Sequence, residues 1–389
     1  MDQERHDRRR RNAVGSGETA RRRVSGRISA IGGLLAAAAV GIAAWAVPAA
    51  AATPPPALTA ITAVSCASAA RCWAGAVDAK GSAIIATANG GATWRVEYTT
   101  ARFDDIVSID CASAAHCLAI GDVAEGTSAA FLETTDGGQV WSVRAAPRPL
   151  ALAGALSCAN GSDCWAVGLA PDRFHAAVAR TTDGGRVWTA ESIPALETAM
   201  SSPFAISCAS PADCVVTGEA ALTTTNGGRT WVKHAVPGGV PLGPVTCPST
   251  RDCYAVFNVT SGVPSNEETS LYTSANGGVT WKDVLSKPRH VAGFGGVSCP
   301  TTTTCVAVGY GYTPRGGGAD TLYGLSELTS TSGGHWAQTT VAKAQALFAD
   351  SCAATTRDCV AGGETSAGAV ILRSANDGGT WTPEPLPKA

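Results

Sequence analysis

Two short motifs alternate seven times along the chain, and this repetition constrains the fold more than any other feature. The first motif is a pair of cysteines with five residues between them, or six in the last copy, and it uses all 14 cysteines of the 389-residue chain. Successive first cysteines lie 39 to 53 residues apart, a period typical of propellers and other repeat arrays. The pairs are Cys66/Cys72, Cys111/Cys117, Cys158/Cys164, Cys208/Cys214, Cys247/Cys253, Cys299/Cys305 and Cys352/Cys359.

The second motif, here called the box, follows each cysteine pair and combines Ser or Thr, Asp or Asn, glycines and a tryptophan. An Asp or Asn side chain accepts hydrogen bonds from nearby backbone amides, and glycine supplies positive φ, so the box predicts a hairpin turn. We expect its tryptophan to begin the next strand and to pack across the turn. The predicted structural residues are Asn89 and Trp94, Asp136 and Trp141, Asp183 and Trp188, Asn226 and Trp231, Asn276 and Trp281, Trp336, and Asn376 and Trp381. The sixth copy, which ends at Trp336, is one residue short and has no Asp or Asn.

The box resembles the Asp-box, or bacterial neuraminidase, repeat S/T-x-D/N-x-G-x-T-W, and the resemblance covers residues 57–389. In the second repeat the runs IVSIDC, CLAIG, AAFLETT and VWSV read as four short strands. Four strands in each of seven repeats predict an all-β fold, a seven-bladed β-propeller of four-stranded antiparallel blades.

The spacing of the cysteines suits disulfides across the first hairpin of each blade. Each disulfide closes a small loop and is therefore expected to add about 2–3 kcal/mol to the free energy of unfolding. Zinc is the competing interpretation, but C-x5-C lacks the short C-x2-C spacing and no histidine recurs beside the pairs. We therefore predict no metal site and no cofactor.

The N-terminal region predicts export. Residues 1–52 begin with nine arginines in residues 1–27, continue with the apolar run 28–47 and end in alanines that offer cleavage sites, and residues 53–56 form a Pro-rich linker. The apolar run is also long enough to span a bilayer, so an uncleaved membrane anchor is the alternative to a cleaved signal peptide. The predicted location is extracytoplasmic, either secreted or anchored through residues 28–47, and disulfides persist there.

Charge narrows the range of partners. Beyond the N-terminal region the chain has 20 basic and 27 acidic residues. An acidic surface argues against binding to a nucleic-acid backbone, which requires clusters of lysine and arginine. The expected partner is a protein or a cell-envelope polysaccharide, with the membrane involved only through the possible anchor.

Candidate site residues lie in the loops opposite the boxes, because ligands of Asp-box propellers usually bind on that face. Long loops in the fifth and sixth repeats contain carboxylates, aromatic residues and an arginine, a mixture that suits sugar or peptide recognition; the alternative is a set of solvated loop charges. The catalytic candidates are Glu267, Glu268 and Asp320, and the ligand-binding candidates are Tyr310, Tyr312, Arg315, Arg289, His290 and Arg173.

The resemblance does not extend to sialidase chemistry. Sialidases carry an arginine-containing F/Y-R-I-P segment and six blades, and Pro203-Phe204-Ala-Ile206 is not a match. The repeat looks more like the propellers of photosystem II assembly factors and of sortilin, which act by binding proteins. The first hypothesis is thus a non-catalytic binding or scaffold propeller. The alternative is a non-sialidase glycoside hydrolase that uses two carboxylates of the loop face.

Overall fold

The computed structural model describes residues 57–123, 128–148, 150–195, 205–236, 243–259, 268–286, 291–313, 321–329, 336–354 and 356–387. The chain divides into two units, Met1–Ala52 and Thr53–Ala389. The predicted signal or anchor, residues 1–52, and the linker, residues 53–56, lie outside the described residues. In the part that the structure describes, no helix has the length and apolar character needed to cross a membrane.

The described residues form an all-β propeller of four-stranded antiparallel blades, and each sheet is continuous in sequence. Seven such sheets follow one another along the chain, numbered here sheet 1 to sheet 7. The strands are β1 (Leu58–Cys66), β2 (Cys72–Asp78), β3 (Gly81–Thr87) and β4 (Arg95–Thr100) in sheet 1; β5 (Phe103–Cys111), β6 (Cys117–Val123), β7 (Ala129–Thr134) and β8 (Ser142–Ala145) in sheet 2; β9 (Leu152–Cys158), β10 (Cys164–Leu169), β11 (Ala176–Thr181) and β12 (Thr189–Ala190) in sheet 3; β13 (Ala205–Cys208), β14 (Cys214–Thr217), β15 (Ala221–Thr224) and β16 (Val232–His234) in sheet 4; β17 (Val245–Thr246), β18 (Cys253–Val259), β19 (Glu268–Ser274) and β20 (Lys282–Ser286) in sheet 5; β21 (Val291–Ser298), β22 (Cys305–Thr313), β23 (Thr321–Thr329) and β24 (Trp336–Val341) in sheet 6; and β25 (Ala346–Cys352), β26 (Cys359–Thr365), β27 (Gly368–Ser374) and β28 (Thr382–Pro383) in sheet 7.

The prediction of seven Asp-box blades needs correction, because the described residues contain six box turns. The box of sheet 6, residues 330–334, lies outside the described residues and lacks the Asp or Asn that accepts the amide hydrogen bonds. Six blades therefore have the complete set of hydrogen bonds that the box motif provides. The prediction of an all-β propeller with four-stranded blades is confirmed.

The seven predicted disulfides are present, and none of the 14 cysteines is free. Each joins the end of the first strand to the start of the second. In sheet 1, for example, Cys66 and Cys72 are direct partners in the antiparallel register, with Cα atoms 4.0 Å apart.

The first strands of the sheets lie side by side around the centre, where a ring of hydrogen bonds joins them. Among the described residues this bond occurs in six seams: a side-chain oxygen of the residue before the first cysteine of one sheet accepts the backbone N–H of the first cysteine in the next sheet. Ser65 Oγ accepts from Cys111 at 3.0 Å, and Ser351 Oγ accepts from Cys66 at 3.0 Å, which closes the ring from sheet 7 to sheet 1. The other pairs are Asp110 with Cys158, Ser157 with Cys208, Ser207 with Cys247, and Ser298 with Cys352.

The box tryptophans fill the seams between sheets. Trp141 of sheet 2 belongs to a buried cluster with Trp73 and Ile84 of sheet 1. Trp188 of sheet 3 stacks on Phe131 of sheet 2 with ring centroids 4.2 Å apart. The expectation that the indole packs across its own turn stays a prediction, and the structure adds that these two indoles also contact the preceding sheet. The fourth strand begins at the tryptophan in sheet 6 and one residue after it in the other sheets.

A glutamate three residues after the tryptophan recurs in sheets 1, 3 and 7 and contacts the next sheet. At these seams a Cβ on the second box glycine would collide with the carboxylate. The pairs are Glu97 with Gly138, Glu191 with Gly228, and Glu384 with Gly91. Glu384 also accepts the indole N–H of Trp94 at 2.7 Å, so this contact joins sheet 7 to sheet 1.

Candidate functional site

The propeller has two rims of different construction. The rim called here the box rim contains the box turns and the disulfide hairpins, and the two are bonded to each other. The first box glycine donates its N–H to a carbonyl of the cysteine loop in the same sheet, as in Gly137 to Ala115 and Gly184 to Ser162. The opposite rim, called the loop rim, carries the loops between second and third strands and the crossings between sheets.

Each box turn satisfies its own polar groups. In sheet 2, Asp136 Oδ1 accepts the hydroxyl of Thr134 at 2.9 Å and the N–H of Val140 at 3.0 Å, and Thr134 Oγ1 accepts the N–H of Gly138 at 2.9 Å. The N–H of Val140 is the main cause that lowers the pKa of the Asp136 carboxyl. Gly137 and Gly138 have φ of 74° and 89°, a region that glycine occupies without steric cost. These contacts explain the turn, and they support the structural role predicted for Asp136.

A cleft of about 490 Å³ opens on the loop rim between sheets 2 and 3. Two exposed arginines, Arg102 and Arg148, line it together with the buried side chain of Leu150. The rest of the lining is small or apolar and includes Ser128, Ala129, Ala145 and Pro171. A cleft with apolar walls and a few charged groups has the usual make-up of a ligand site.

Three aspartates lie on the same rim of sheet 2. Burial is the main cause that raises the pKa of Asp105, and the charges of Asp122 and Asp104 raise it further. Burial also raises the pKa of Asp122, with Asp104 adding to the effect and Arg173 opposing it. Asp122 Oδ1 accepts the N–H of Ala153 in sheet 3 at 2.7 Å, so this carboxylate joins two sheets.

The loop between β10 and β11 presents Phe174 to solvent with 63% of its surface exposed. Asp172 holds the loop by accepting the N–H of Phe174 at 2.9 Å and of His175 at 3.1 Å, and it pairs with the His175 ring at 2.7 Å. The N–H of Phe174 is the largest of the causes that lower the Asp172 pKa to about 2. Arg173 has φ of 61°, which is uncommon for a residue other than glycine. A strained residue in an ordered loop is a frequent mark of function.

The predicted cluster on the fifth and sixth repeats falls largely outside the described residues. This applies to Glu267, Arg289, His290, Arg315 and Asp320.

Glu268 lies opposite Val259 in the register of β18 and β19, and Tyr312 lies opposite Leu322 in the register of β22 and β23. Tyr310 is half-buried, with its ring against Gly293. Of the predicted ligand-binding residues, Arg173 lies on the loop rim near Asp122. The catalytic and ligand-binding roles assigned to these residues stay predictions.

The sequence did not single out Arg102, Arg148 or Asp122. Each directly adjoins a predicted strand or crossing, so their position at strand ends on the loop rim was a usable signal. Among the described residues, no group of three or more His, Cys, Asp or Glu side chains could hold a metal ion.

Two buried carboxyl groups lie on the inner strands and were also missed. Burial raises the pKa of Asp110 to about 6, against the lowering effect of the N–H groups of Cys158 and Cys111. Burial raises the pKa of the Asp350 carboxyl well above its usual value, against the lowering effect of the backbone N–H of Ser298. Asp350 stands two residues before its cysteine, where the other sheets have Val, Ile or Leu.

No protein-family model matches the chain, and no curated protein sequence matches it. Solved structures are similar in fold. The chain matches YCF48 bound to D1 peptide at 18% identity and a TM-score of 0.57, over 84% of this chain and 96% of that chain. It matches the GH74 enzyme of Niastella koreensis at 13% identity and a TM-score of 0.62, over 84% of this chain and 54% of the enzyme. The GH74 xyloglucanase of Xanthomonas campestris gives 16% identity and a TM-score of 0.58, over 84% and 53%. The chain thus spans nearly all of YCF48 and about half of either enzyme.

Proposed function

We propose that this chain is an exported, non-catalytic binding propeller that recognises a segment of another protein at the loop-rim cleft between sheets 2 and 3. The observation that carries the proposal is the lining of the cleft. Arg102 and Arg148 flank a pocket whose other walls are mainly alanines, Leu150 and Pro171. Arginine binds carboxylates through paired N–H groups, and the apolar walls suit an aliphatic or aromatic side chain. A peptide that combines an acidic and an apolar residue matches both features.

The neighbouring loop extends this surface. Phe174 is exposed beside Arg173, and the hydrogen bonds of Asp172 fix the loop in one conformation. A preformed loop loses little conformational entropy on binding, which favours affinity. The likeness to YCF48 bound to D1 peptide supports a propeller of this length as a peptide-binding module.

The hydrogen bonds that Asp105 and Asp122 already make argue against hydrolysis at this cleft. Asp122 already accepts the N–H of Ala153, and Asp105 accepts the N–H of Asp122. A glycosidase needs one carboxyl group to protonate the leaving group and another to act as base or nucleophile. Asp105 and Asp122 instead serve the backbone that shapes the rim.

A non-sialidase glycoside hydrolase is the second candidate, because the raised pKa values of Asp105 and Asp122 are typical of a general acid. The fold likeness to GH74 enzymes is compatible with it. Glu267, Glu268 and Asp320 stay its predicted catalytic residues. A cell-envelope glycan as a bound ligand belongs to the same group of alternatives.

The seven disulfides fit an oxidising compartment. Residues 1–52 would supply export, by a cleaved signal or by an anchor over residues 28–47. No nucleic-acid partner is proposed, and any membrane contact would run through that anchor.

The test exposes oxidised full-length protein to an array of peptides that tile extracytoplasmic proteins, to an array of envelope glycans, and to a panel of glycoside substrates. We expect peptide binding that falls about tenfold or more in Arg102→Ala and Arg148→Ala, since each removes a charged hydrogen-bond donor. Arg186→Ala is the matched control, because Arg186 is an exposed arginine of a box turn on the opposite rim. Glycan binding without peptide binding, or sugar release that Asp105→Asn abolishes, would replace the proposal.

A further inference from the structure

A small polar cavity of about 60 Å³ lies on the box rim in the seam between sheets 4 and 5. Asp213, Thr223, Asn276 and Gly277 line it, and the exposed residue Val279 stands at its edge. It lies on the rim opposite the cleft described above, so it is independent of the proposed function. The repeated architecture shows what occupies the same position in other seams.

In the seam between sheets 3 and 4 the position is filled by Arg180. Its Nη1 donates to the carbonyl of Gly227, the first box glycine of the next sheet, and its Nη2 donates to Asp163 Oδ1 at 3.1 Å. The guanidinium also lies over the Trp165 ring, 4.8 Å from its centroid.

The seam between sheets 7 and 1 repeats this arrangement. Arg373 Nη1 donates to the carbonyl of Gly90, again the first box glycine, and Nη2 donates to Asp358 Oδ1 at 2.6 Å. Arg180 and Arg373 both stand directly before the first box residue, and Asp163 and Asp358 both stand directly before the second cysteine.

Two further seams supply a donor from the cysteine loop instead. His116 Nε2 lies 3.0 Å from the carbonyl of Gly184, and Arg71 Nη1 donates to Ala114 at 2.8 Å, beside Gly137. A donor side chain at the first box glycine is therefore a recurrent element of the ring.

Sheet 4 keeps the acceptors of this arrangement without the cation. Asp213 stands at the position of Asp163 and Asp358, but Thr223 replaces the arginine. Asp213 Oδ2 accepts the hydroxyl of Ser210 at 2.6 Å, and Asp163 Oδ2 likewise accepts a side-chain N–H from its own cysteine loop. In sheet 3 the other oxygen, Asp163 Oδ1, accepts the guanidinium of Arg180. Asp213 Oδ1 is the corresponding oxygen in sheet 4. No ion pair of Asp213 occurs among the described residues.

We propose that this cavity, the seam 4–5 pocket, binds a guanidinium group supplied from outside the propeller. One N–H of the bound group would donate to Asp213 Oδ1 and another to the carbonyl of Gly277, as Arg180 does in the seam between sheets 3 and 4. A volume of about 60 Å³ accommodates a group of a few heavy atoms. The planar fork of a guanidinium spans two acceptors, which a point-like ammonium does less well. The group comes either from an arginine side chain of a protein or from a small guanidino compound.

Isothermal titration calorimetry of the oxidised full-length protein with agmatine, methylammonium and a blocked Gly-Arg-Gly peptide tests the proposal. We expect one agmatine site, with methylammonium at least tenfold weaker. Asp213→Asn should weaken agmatine binding tenfold or more, because it removes a charged acceptor. Thr223→Arg should abolish it by filling the pocket, as the equivalent arginines do in sheets 3 and 7.

Arg180→Ala is the matched variant, since it empties the equivalent position between sheets 3 and 4 beside Asp163. It should raise the agmatine stoichiometry from one to two. Binding of the peptide as tightly as agmatine would identify an arginine side chain as the source, and binding of agmatine alone would identify a small compound. The proposal is overturned if the wild type binds no agmatine, if Asp213→Asn and Thr223→Arg leave binding unchanged, or if methylammonium binds as well.

Discussion

The box rim and the loop rim are built from the same strands, yet their polar groups are used in different ways. On the box rim, Thr134 and Asp136 satisfy amides of their own turn, and Arg180 and Arg373 join neighbouring sheets. On the loop rim, Arg102 and Arg148 line an open cleft. Substitution of a residue that joins neighbouring sheets would cost packing, whereas residues of the loop rim can be substituted to suit a ligand. With the proposed function, this comparison assigns stability to the box rim and ligand specificity to the loop rim.

The largest expected effect breaks the box rim at the seam between sheets 7 and 1. Gly91→Ala should lower the free energy of unfolding by about 3 kcal/mol, because Gly91 has φ of 89° and its new Cβ would collide with Glu384. Urea denaturation followed by tryptophan fluorescence measures the change. Gly161→Ala is the control, since a Cβ there meets no atom closer than 3.9 Å and the backbone has no positive φ. Equal losses in the two variants would contradict the role given to the seam.

The next effect concerns the inner ring and depends on pH. The folded pKa of Asp110, about 6, is higher than its unfolded value, so its stabilising contribution is complete below about pH 4 and is lost as pH rises through 6. Asp110→Ser keeps the acceptor for Cys158 that Ser65 provides for Cys111. We expect the variant to gain about 2–3 kcal/mol over the wild type at pH 7.5 and almost nothing at pH 4. Urea titrations at both pH values measure it, and a gain independent of pH would refute the assignment.

A pair of substitutions compares backbone strain on the two rims. Arg173 on the loop rim has φ of 61°, and Asp377 on the box rim has φ of 55° where the other intact boxes have glycine. Arg173→Gly and Asp377→Gly should each relieve about 1 kcal/mol of strain, part of which the extra freedom of the unfolded chain offsets. Thermal unfolding measures the stability of both variants. Only Arg173→Gly should also weaken peptide binding, and the same loss in Asp377→Gly would remove the distinction between the rims.

The smallest change in stability is expected for Phe174→Ala. With 63% of its surface exposed, Phe174 should contribute within about 0.5 kcal/mol to the free energy of unfolding. Its loss should nevertheless weaken peptide binding about tenfold, because an exposed aromatic side chain at a binding surface buries a large area in the complex. Val187→Ala on the box rim, with 61% exposure, is the matched control and should change neither quantity. Unchanged peptide affinity in Phe174→Ala would move the contact surface elsewhere.

Local features of this fold could be predicted from the sequence, and features of the seams could not. The cysteine pairs and box turns are close in sequence, so their chemistry is visible in a few residues. Trp94 and Glu384 meet across 290 residues, and no local pattern pairs them. The contact between a box indole and the preceding sheet was missed for the same reason, since its two partners lie in different repeats.

The candidate site was predicted less well than the fold. Loop length directed attention to Glu267, Tyr312 and Asp320 in the fifth and sixth repeats. The cleft that the structure describes is formed instead by short crossings, in which Arg102 and Arg148 have no distinguishing motif. Concavity arises from how loops of adjacent sheets stand together, and the spacing of residues along the chain carries little information about it.

The hydrogen bond from Cys66 to Ser351 gives the array no terminal repeat. A linear solenoid frays from its ends, because the outermost units have one neighbour each. Here every sheet has two neighbours. Unfolding of one sheet therefore opens the ring and breaks two seams at once. Unfolding should therefore be a single cooperative event. For the same reason, joining the ends of residues 57–387 and cutting the chain in another crossing should give a circular permutant that folds to the same ring.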